Sequence, residues 1–204
     1  MTFSGGKVEL LTDMSDLPVL WEELRLGKHA SFEKVYHLTF PQLYQYGCKI
    51  TSSDLVEEAI QELFITIWNN RDKIPQVSYP VAYLFRALRN RLLNQISAKK
   101  THQVVSLDQL PDFNYQLRDE TQKDEQSFAL QEAINKLSFR QREVIYLLYF
   151  NDLSASEVAE ALSLKVRTVY NTAHSAMESL RAHLDKESLL FYLIPVSILC
   201  LFAI

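Results

Sequence analysis

Ser154-Ala155-Ser156-Glu157-Val158-Ala159-Glu160-Ala161-Leu162-Ser163-Leu164-Lys165-Val166-Arg167-Thr168-Val169 is the stretch that decides the fold. Ser154 and Glu157, three residues apart, form a capping box in which each side chain satisfies a free backbone N–H at a helix start. Val158, Ala159 and Leu162 make the apolar side of the short helix that follows. The turn Ser163-Leu164-Lys165 is three residues long, and the pattern then predicts a longer helix from Val166 to about Leu184. Short helix, tight turn and longer helix is the spacing of a helix-turn-helix, with small Ala159 where the two helices approach.

Upstream, Ser138 and Gln141 form a second capping box, opening a helix with Val144, Ile145, Leu147 and Leu148 inward. Before it, Phe128, Leu130, Ile134 and Leu137 mark another helix. These four helices define a domain over 127–186. Residues 98–126 lose helical periodicity and become polar, from Asp108, Pro111 and Asp112 to the run Arg118–Gln126, and read as a flexible linker.

The residues before it, 16–97, form a second helical domain. Leu17, Leu20, Trp21 and Leu24 lie on one stripe that Gly27 ends. A second helix beginning after Ser31 turns Phe32, Val35, Tyr36 and Leu43 inward, and Pro41 is expected to bend or break it. Asp54 with Glu57 reads as a capping box for a third helix, with Val56, Ile60, Leu63, Phe64 and Ile67 on its apolar face. After the Pro75–Pro80 turn, Val81, Leu84, Phe85, Leu88 and Leu92 form the buried side of a fourth helix. Its other side is expected to offer Tyr83, Arg86, Arg89, Asn90, Arg91 and Asn94. No acidic residue lies between Lys73 and Asp108, so this half of the domain is locally basic.

Composition agrees with an all-α chain of two small helical domains. Of 204 residues, 48% are hydrophobic, with only 4 Gly and 6 Pro, enough apolar mass for real cores. The net charge of −4 argues against a general nucleic-acid coat protein, although the signs are segregated along the chain. Cys48 and Cys200 lack CxxC or His-rich company, so neither a metal site nor a disulfide framework is expected, and a reducing cytoplasm fits. No His, Cys or carboxylate cluster has catalytic spacing and no phosphate-binding Gly loop occurs, so the chain is read as neither an enzyme nor a cofactor binder.

The ends differ from the domains. Residues 1–15 read as an untidy leader, and 187–204 as a hydrophobic tail. Leu189–Ile204, as a helix, would reach roughly 24 Å at about 1.5 Å per residue, short of a hydrocarbon core about 30 Å thick. Packing on the protein or on a partner is the first reading of this tail, a shallow membrane tether the second, and an incidental extension the third.

Phe32–Ile96 and Leu130–Leu184 resemble, in order and spacing, the two domains of extracytoplasmic-function sigma factors of the sigma-70 family. The carrying segments are Gly27-Lys28-His29-Ala30-Ser31-Phe32-Glu33, Gln61-Glu62-Leu63-Phe64 with Trp68, and Ala82-Tyr83-Leu84-Phe85-Arg86-Ala87-Leu88-Arg89-Asn90. In the second domain they are Leu137-Ser138-Phe139-Arg140-Gln141-Arg142-Glu143-Val144 and Ser156-Glu157-Val158-Ala159-Glu160-Ala161-Leu162 with Thr168-Val169.

The resemblance implies a cytoplasmic transcription-initiation factor that binds core RNA polymerase and promoter DNA and helps melt the −10 element. Glu58, Gln61, Glu62, Ile65 and Trp68 would dock on the coiled coil of the largest polymerase subunit, and the second domain on the flap. Arg86, Arg89 and Arg91 would meet phosphates, Tyr83 would stack, and Asn90 with Asn94 would read a flipped base of the −10 strand. Lys165, Arg167, Thr168, Tyr170, Asn171 and His174 would face the −35 element. An anti-sigma factor or a recruiting protein is the further partner implied.

The chain departs from the family at Ser163, where the turn usually has Gly, and at Lys165, where a capping Ser is usual. The missing cap costs about 1 kcal/mol of helix-start stabilisation. Thr172 and Ser175 stand where the family often has Arg, and the charges of this domain roughly cancel. A weak −35 contact, aided by a recruiting partner, is therefore expected. The alternative is a stand-alone helix-turn-helix regulator that binds duplex DNA without polymerase; it leaves Gln61–Phe64 and the basic Tyr83–Asn94 helix unexplained.

Overall fold

The computed structural model describes residues 13–99 and 125–183, and everything regular in them is helical. A single 3-10 turn, Met14–Asp16, leads into α1 (Leu17–Arg25), α2 (His29–Ile50), α3 (Ser53–Asn69) and α4 (Pro80–Lys99). After the intervening residues come α5 (Glu125–Asn135), α6 (Phe139–Tyr149), α7 (Ala155–Leu162) and α8 (Val166–His183). The leader, most of the linker and the apolar tail lie outside the described residues. Among those described, no helix is long and apolar enough to cross a membrane.

The first four helices close on one core because each has a continuous apolar stripe. Leu17, Leu20, Trp21 and Leu24 of α1 are buried against α2, as are Val56, Ala59, Ile60, Leu63, Phe64 and Ile67 of α3. Gly27 ends α1 at φ +84, a left-handed conformation that costs glycine nothing. Gly47 brings α2 and α3 together: a Cβ there would lie 2.5 Å from a Val56 methyl. The Arg25 guanidinium ties α1 to the loop before α4 by donating from Nε to the Ile74 carbonyl at 2.9 Å.

Of the two outcomes expected at Pro41, a bend or a break, the break does not occur: α2 runs through it for 22 residues. Pro41 is exposed, so its ring sits on the open side, while Val35, Thr39, Leu43 and Tyr46 anchor the other. The capping box at Asp54 and Glu57 does not form: α3 starts earlier, with Ser52 as the flanking residue and Asp54 inside the first turn. There the carboxylate still meets the positive end of the helix dipole.

In the second group, both remaining capping boxes are present, Ser138 with Gln141 and Ser154 with Glu157. The turn between α7 and α8 requires Ser163 at φ 55, ψ 46, a left-handed conformation in which L residues other than Gly are crowded. Val169, Ala173, Ala176, Met177 and Leu180 bury one side of α8 against α5, α6 and α7.

The two groups meet directly. Helix α7 packs on α4, and beside that contact Glu143 of α6 is fully buried between the groups. Arg89 of α4 donates from Nε to its Oε1 at 2.7 Å and from Nη2 to its Oε2 at 3.3 Å. Tyr46 of α2 donates its hydroxyl to the same Oε1 at 2.7 Å. The Tyr46 ring also packs edge-on against Phe85, with centroids 5.1 Å apart. Removing one member of a buried pair typically costs about 3–5 kcal/mol, because the other charge is left stranded.

Burial, and then the neighbouring Glu143 charge, push the Tyr46 phenol well above its ordinary range. A pKa raised by folding contributes stability that is whole below the unfolded value, near 10.0, and is lost as pH climbs beyond it. Tyr46→Phe is therefore expected to lower stability at pH 8, and the gap from wild type to shrink above about pH 10 by up to about 1.4 kcal/mol per pH unit. Urea melts at the two pH values measure it. Ser163→Gly should raise stability by about 0.5–1 kcal/mol, the relieved left-handed crowding less the extra freedom of Gly in the unfolded chain.

Candidate functional site

Helix α4 carries the six residues expected to meet a melted strand, and its packing sorts them into three sets. Val81, Ala82, Leu84, Phe85, Leu88, Leu92 and Ile96 are buried, covering a wide arc against α2, α3 and α7. What stays open is a narrow row: Arg86, Asn90 and Asn94, spaced four residues apart and all exposed. Tyr83 borders this row, half-buried, with its ring edge-to-face on Trp21 at 5.4 Å. A helix-packing contact and an open rim are thus both present at Tyr83.

Arg91 and Arg89 flank the row on opposite sides, and both are engaged. Arg91 binds Glu62 of α3 at 2.7 Å and donates to the Thr66 hydroxyl at 3.1 Å. Arg89 is 8% exposed and closed around Glu143, so its placement on the open side of α4 is corrected. It lies about 100° round the helix from Asn90, towards the second group. Glu143 and Tyr46 were not singled out from sequence. The available signal was an acid inside the apolar run of α6, since an ionised side chain between core positions needs a buried partner.

On α3, Glu58, Gln61, Glu62 and Ile65 share one exposed face, at offsets that place them side by side. Ile65 is 60% exposed, an apolar side chain set among carboxylates. Trp68 is placed differently. It is half-buried, tilted against Phe32 at 5.0 Å and edge-on to His29 at 5.4 Å, with the Arg71 guanidinium 4.7 Å from its ring centroid. It supports the base of the stripe from the side of α2. The Glu62–Arg91 pair joins the α3 stripe to the α4 row, with both side chains partly exposed.

Helix α8 presents Arg167, Tyr170, Asn171 and His174 along one face, with Thr168 beside them and Lys165 just ahead of the helix, all exposed. Val169 and Ala173 point inward. His174 approaches Glu178 at 3.6 Å, an ion pair only when the imidazole is protonated. The Lys165 carbonyl accepts from the Thr168 and Val169 amides, but its ammonium cannot accept a hydrogen bond as a serine cap would. Ser175 is exposed and accepts from Gln141 at 3.2 Å, and Thr172 is half-buried. Lys165 and Arg167 are the cations at the start of this face.

Comparison with known proteins matches the same regions. Residues 127–180 fit the family model described as sigma-70, region 4. The RNA polymerase sigma-E factor of Streptomyces avermitilis is 28% identical over 133 residues, covering 65% of this chain and 73% of that protein. The ECF RNA polymerase sigma factor SigL of Mycobacterium tuberculosis is 26% identical over 147 residues, covering 71% and 83%. In fold, the chain is similar to the sigma factor RpoE solved with the anti-sigma factor NepR from Bartonella quintana. That likeness has a TM-score of 0.56 at 21% identity, over 74% of this chain and 94% of that one. The helix-turn-helix group thus matches sigma-70 region 4 directly, and the chain as a whole is similar to the extracytoplasmic-function sigma factors of the sigma-70 family.

Proposed function

We propose that the chain works in the cytoplasm as a promoter-specificity subunit, docking on core RNA polymerase through α3 and opening the −10 element through α4. The observation that carries this reading is the pairing of two unlike open faces in one rigid helical group. Glu58, Gln61, Glu62 and Ile65 suit a basic protein surface around an apolar contact, and Arg86, Asn90 and Asn94 suit a polynucleotide. The Glu62–Arg91 ion pair bridges the two faces, while the shared core of α3 and α4 holds them in register. Domain boundaries near 16–97 and 127–186 follow the same division, with 98–126 joining them.

Each group on α4 has a role that its chemistry allows. Arg86 offers a cation to phosphate, Tyr83 a ring edge for an unstacked base, and Asn90 and Asn94 amides that both donate and accept. Flipping a base costs a few kcal/mol, and stacking at roughly 1–3 kcal/mol per base offsets much of it. The face of α8 lies in the −35 major groove, with Lys165 and Arg167 on the backbone and Asn171 towards base edges. Few cations and an uncapped start make that contact weak, so a recruiting partner strengthens promoter choice. The solved RpoE–NepR pair motivates an anti-sigma factor as the further partner, and Leu189–Ile204 is a candidate contact for that partner or for a membrane surface.

Run-off transcription with purified core polymerase tests the whole reading: product is expected only when the chain is added. Binding of duplex promoter DNA by the chain alone, with no gain in transcription, would overturn it. Asn90→Ala is expected to cut open-complex formation on a −10 template about 10-fold, with binding to core unchanged. Ile65→Asp should do the reverse, weakening capture of core about 10-fold, the scale of an interface residue worth over 1 kcal/mol.

A further inference from the structure

We propose that Trp21 is the positioning residue for Tyr83, setting the tyrosine ring as a fixed platform for an unstacked base of the −10 strand. The proposal rests on the reading of α4 as the −10 helix, and Trp21 acts on DNA only through Tyr83. Packing, orientation and the shape of the neighbouring rim carry it.

Trp21 lies on α1 with no exposed surface, and its indole Nε1–H finds no hydrogen-bond partner among the described residues. A buried donor left unpaired costs free energy, a cost that leucine or phenylalanine would avoid in the same core. Filling space therefore does not call for an indole here. What an indole adds is a broad, rigid aromatic surface, and Tyr83 is set against it. The ring centroids are 5.4 Å apart and the planes meet at 62°. In such an edge-to-face pair the positive rim of one ring meets the negative face of the other, so the contact favours one relative orientation and not merely closeness.

Tyr83 needs that support because its own polar end does not orient it. It is half-buried on the border of the open row, and its hydroxyl has no hydrogen bond to another described residue. Trp21 is itself held in place. Helix α1 is also buried through Leu17, Leu20 and Leu24, and its Arg25 donates to the Ile74 carbonyl at 2.9 Å in the loop ahead of α4. The indole is thus fixed before any strand arrives. A ring already held in its bound orientation loses less freedom when a base stacks on it, which is how preorganisation adds affinity.

The rim beside Tyr83 suits a single nucleotide. Arg86 and Ala87 are the two helical neighbours that lie between Tyr83 and Asn90. Ala87 adds only a methyl group between the ring and the Asn90 amide, and Arg86 is exposed beside it. Ring, amide and cation therefore surround a residue of α4 too small to block a base. A flipped base resting on the ring presents its edge to Asn90 and its phosphate to Arg86.

The test is a double-mutant cycle in reconstituted holoenzyme, read as affinity for a forked −10 DNA taken from a promoter that the holoenzyme transcribes. Affinities are compared at a temperature where circular dichroism shows every variant chain folded, so that lost folding is not counted as lost binding. Trp21→Phe, which keeps a ring and removes the indole, should weaken forked-DNA binding about 3- to 10-fold, the scale of one oriented aromatic pair. Capture of core polymerase should be unchanged. Tyr83→Ala should weaken forked-DNA binding at least as much, and in that background Trp21→Phe should have no further effect, because its path to DNA is gone. A purely structural tryptophan gives another pattern: Trp21→Phe then weakens core capture as well, or adds its full effect to that of Tyr83→Ala. Either result, or a Trp21→Phe holoenzyme that binds like wild type, would overturn the positioning role. Tyr83→Ala without effect would instead sink the stacking reading of α4 itself, so the two failures are told apart.

Discussion

A carboxylate with no access to water sets the arrangement of the whole molecule. Glu143 is placed by α6, neutralised by α4 and hydrogen-bonded by α2, so three helices from two groups converge on one side chain. Desolvating such a pair consumes most of its Coulomb attraction, and apolar residues of the same shape would often hold the seam as well. What the pair supplies is selectivity among arrangements. Any shift of α7 along α4 would strand a charge, whereas a purely apolar seam could slide at little cost. The burden falls on Tyr46 as well, whose hydroxyl completes the carboxylate's coordination and whose ring packs against Phe85 of α4.

Helix α4 is consequently a helix with two of its arginines already committed. Of its three arginines, one answers Glu62 within the first group, one answers Glu143 across the seam, and Arg86 remains open. The two engaged arginines differ in kind. The Arg91 pair is partly exposed, worth at most about 1 kcal/mol, and yields to a stronger anion without disturbing the core. The Arg89 pair is buried and yields only when the groups part. One sequence of basic residues therefore contains a cation that is always available, one that is easily exchanged and one that is conditional on conformation.

Local signals were legible in the sequence and long-range ones were not. The capping boxes at Ser138 and Ser154, the apolar stripes and the turn at Ser163–Lys165 depend on residues three or four apart, and each appears where the pattern puts it. Asp54 and Glu57 had the same spacing but lost to Ser52, because an earlier start adds two residues to α3 and leaves Asp54 near the positive end of the dipole. That Pro41 would not break α2 was not legible, because a proline's cost depends on which side of the helix it faces, and the packing of the rest of the group decides that. Arg89 was misjudged for the strongest reason. Its partner is 54 residues away, and a helical wheel assigns a basic residue to solvent unless a buried acid elsewhere is matched to it. In the candidate site, the exposure of Arg86, Asn90 and Asn94 was legible because their row is defined by α4 alone.

The helix-turn-helix illustrates how backbone economy and electrostatics combine. Ser163 accepts a left-handed conformation where glycine would be unstrained, and Lys165 leaves the start of α8 without an acceptor side chain. A lysine at that position adds positive charge beside the positive end of the helix dipole, which disfavours the free protein. The same charge is favoured once a phosphate lies there, since the amide groups and the ammonium then share one anion. On the proposed reading of α8 as the −35 helix, Lys165 moves free energy from the unbound helix to the bound one. On α4, by contrast, Arg89 and Arg91 are already answered within the protein, by Glu143 and Glu62. The two helices therefore differ in where their charges are balanced: α4 largely within the protein, and the start of α8, with Lys165 and Arg167 exposed, not by an acid of its own first turn.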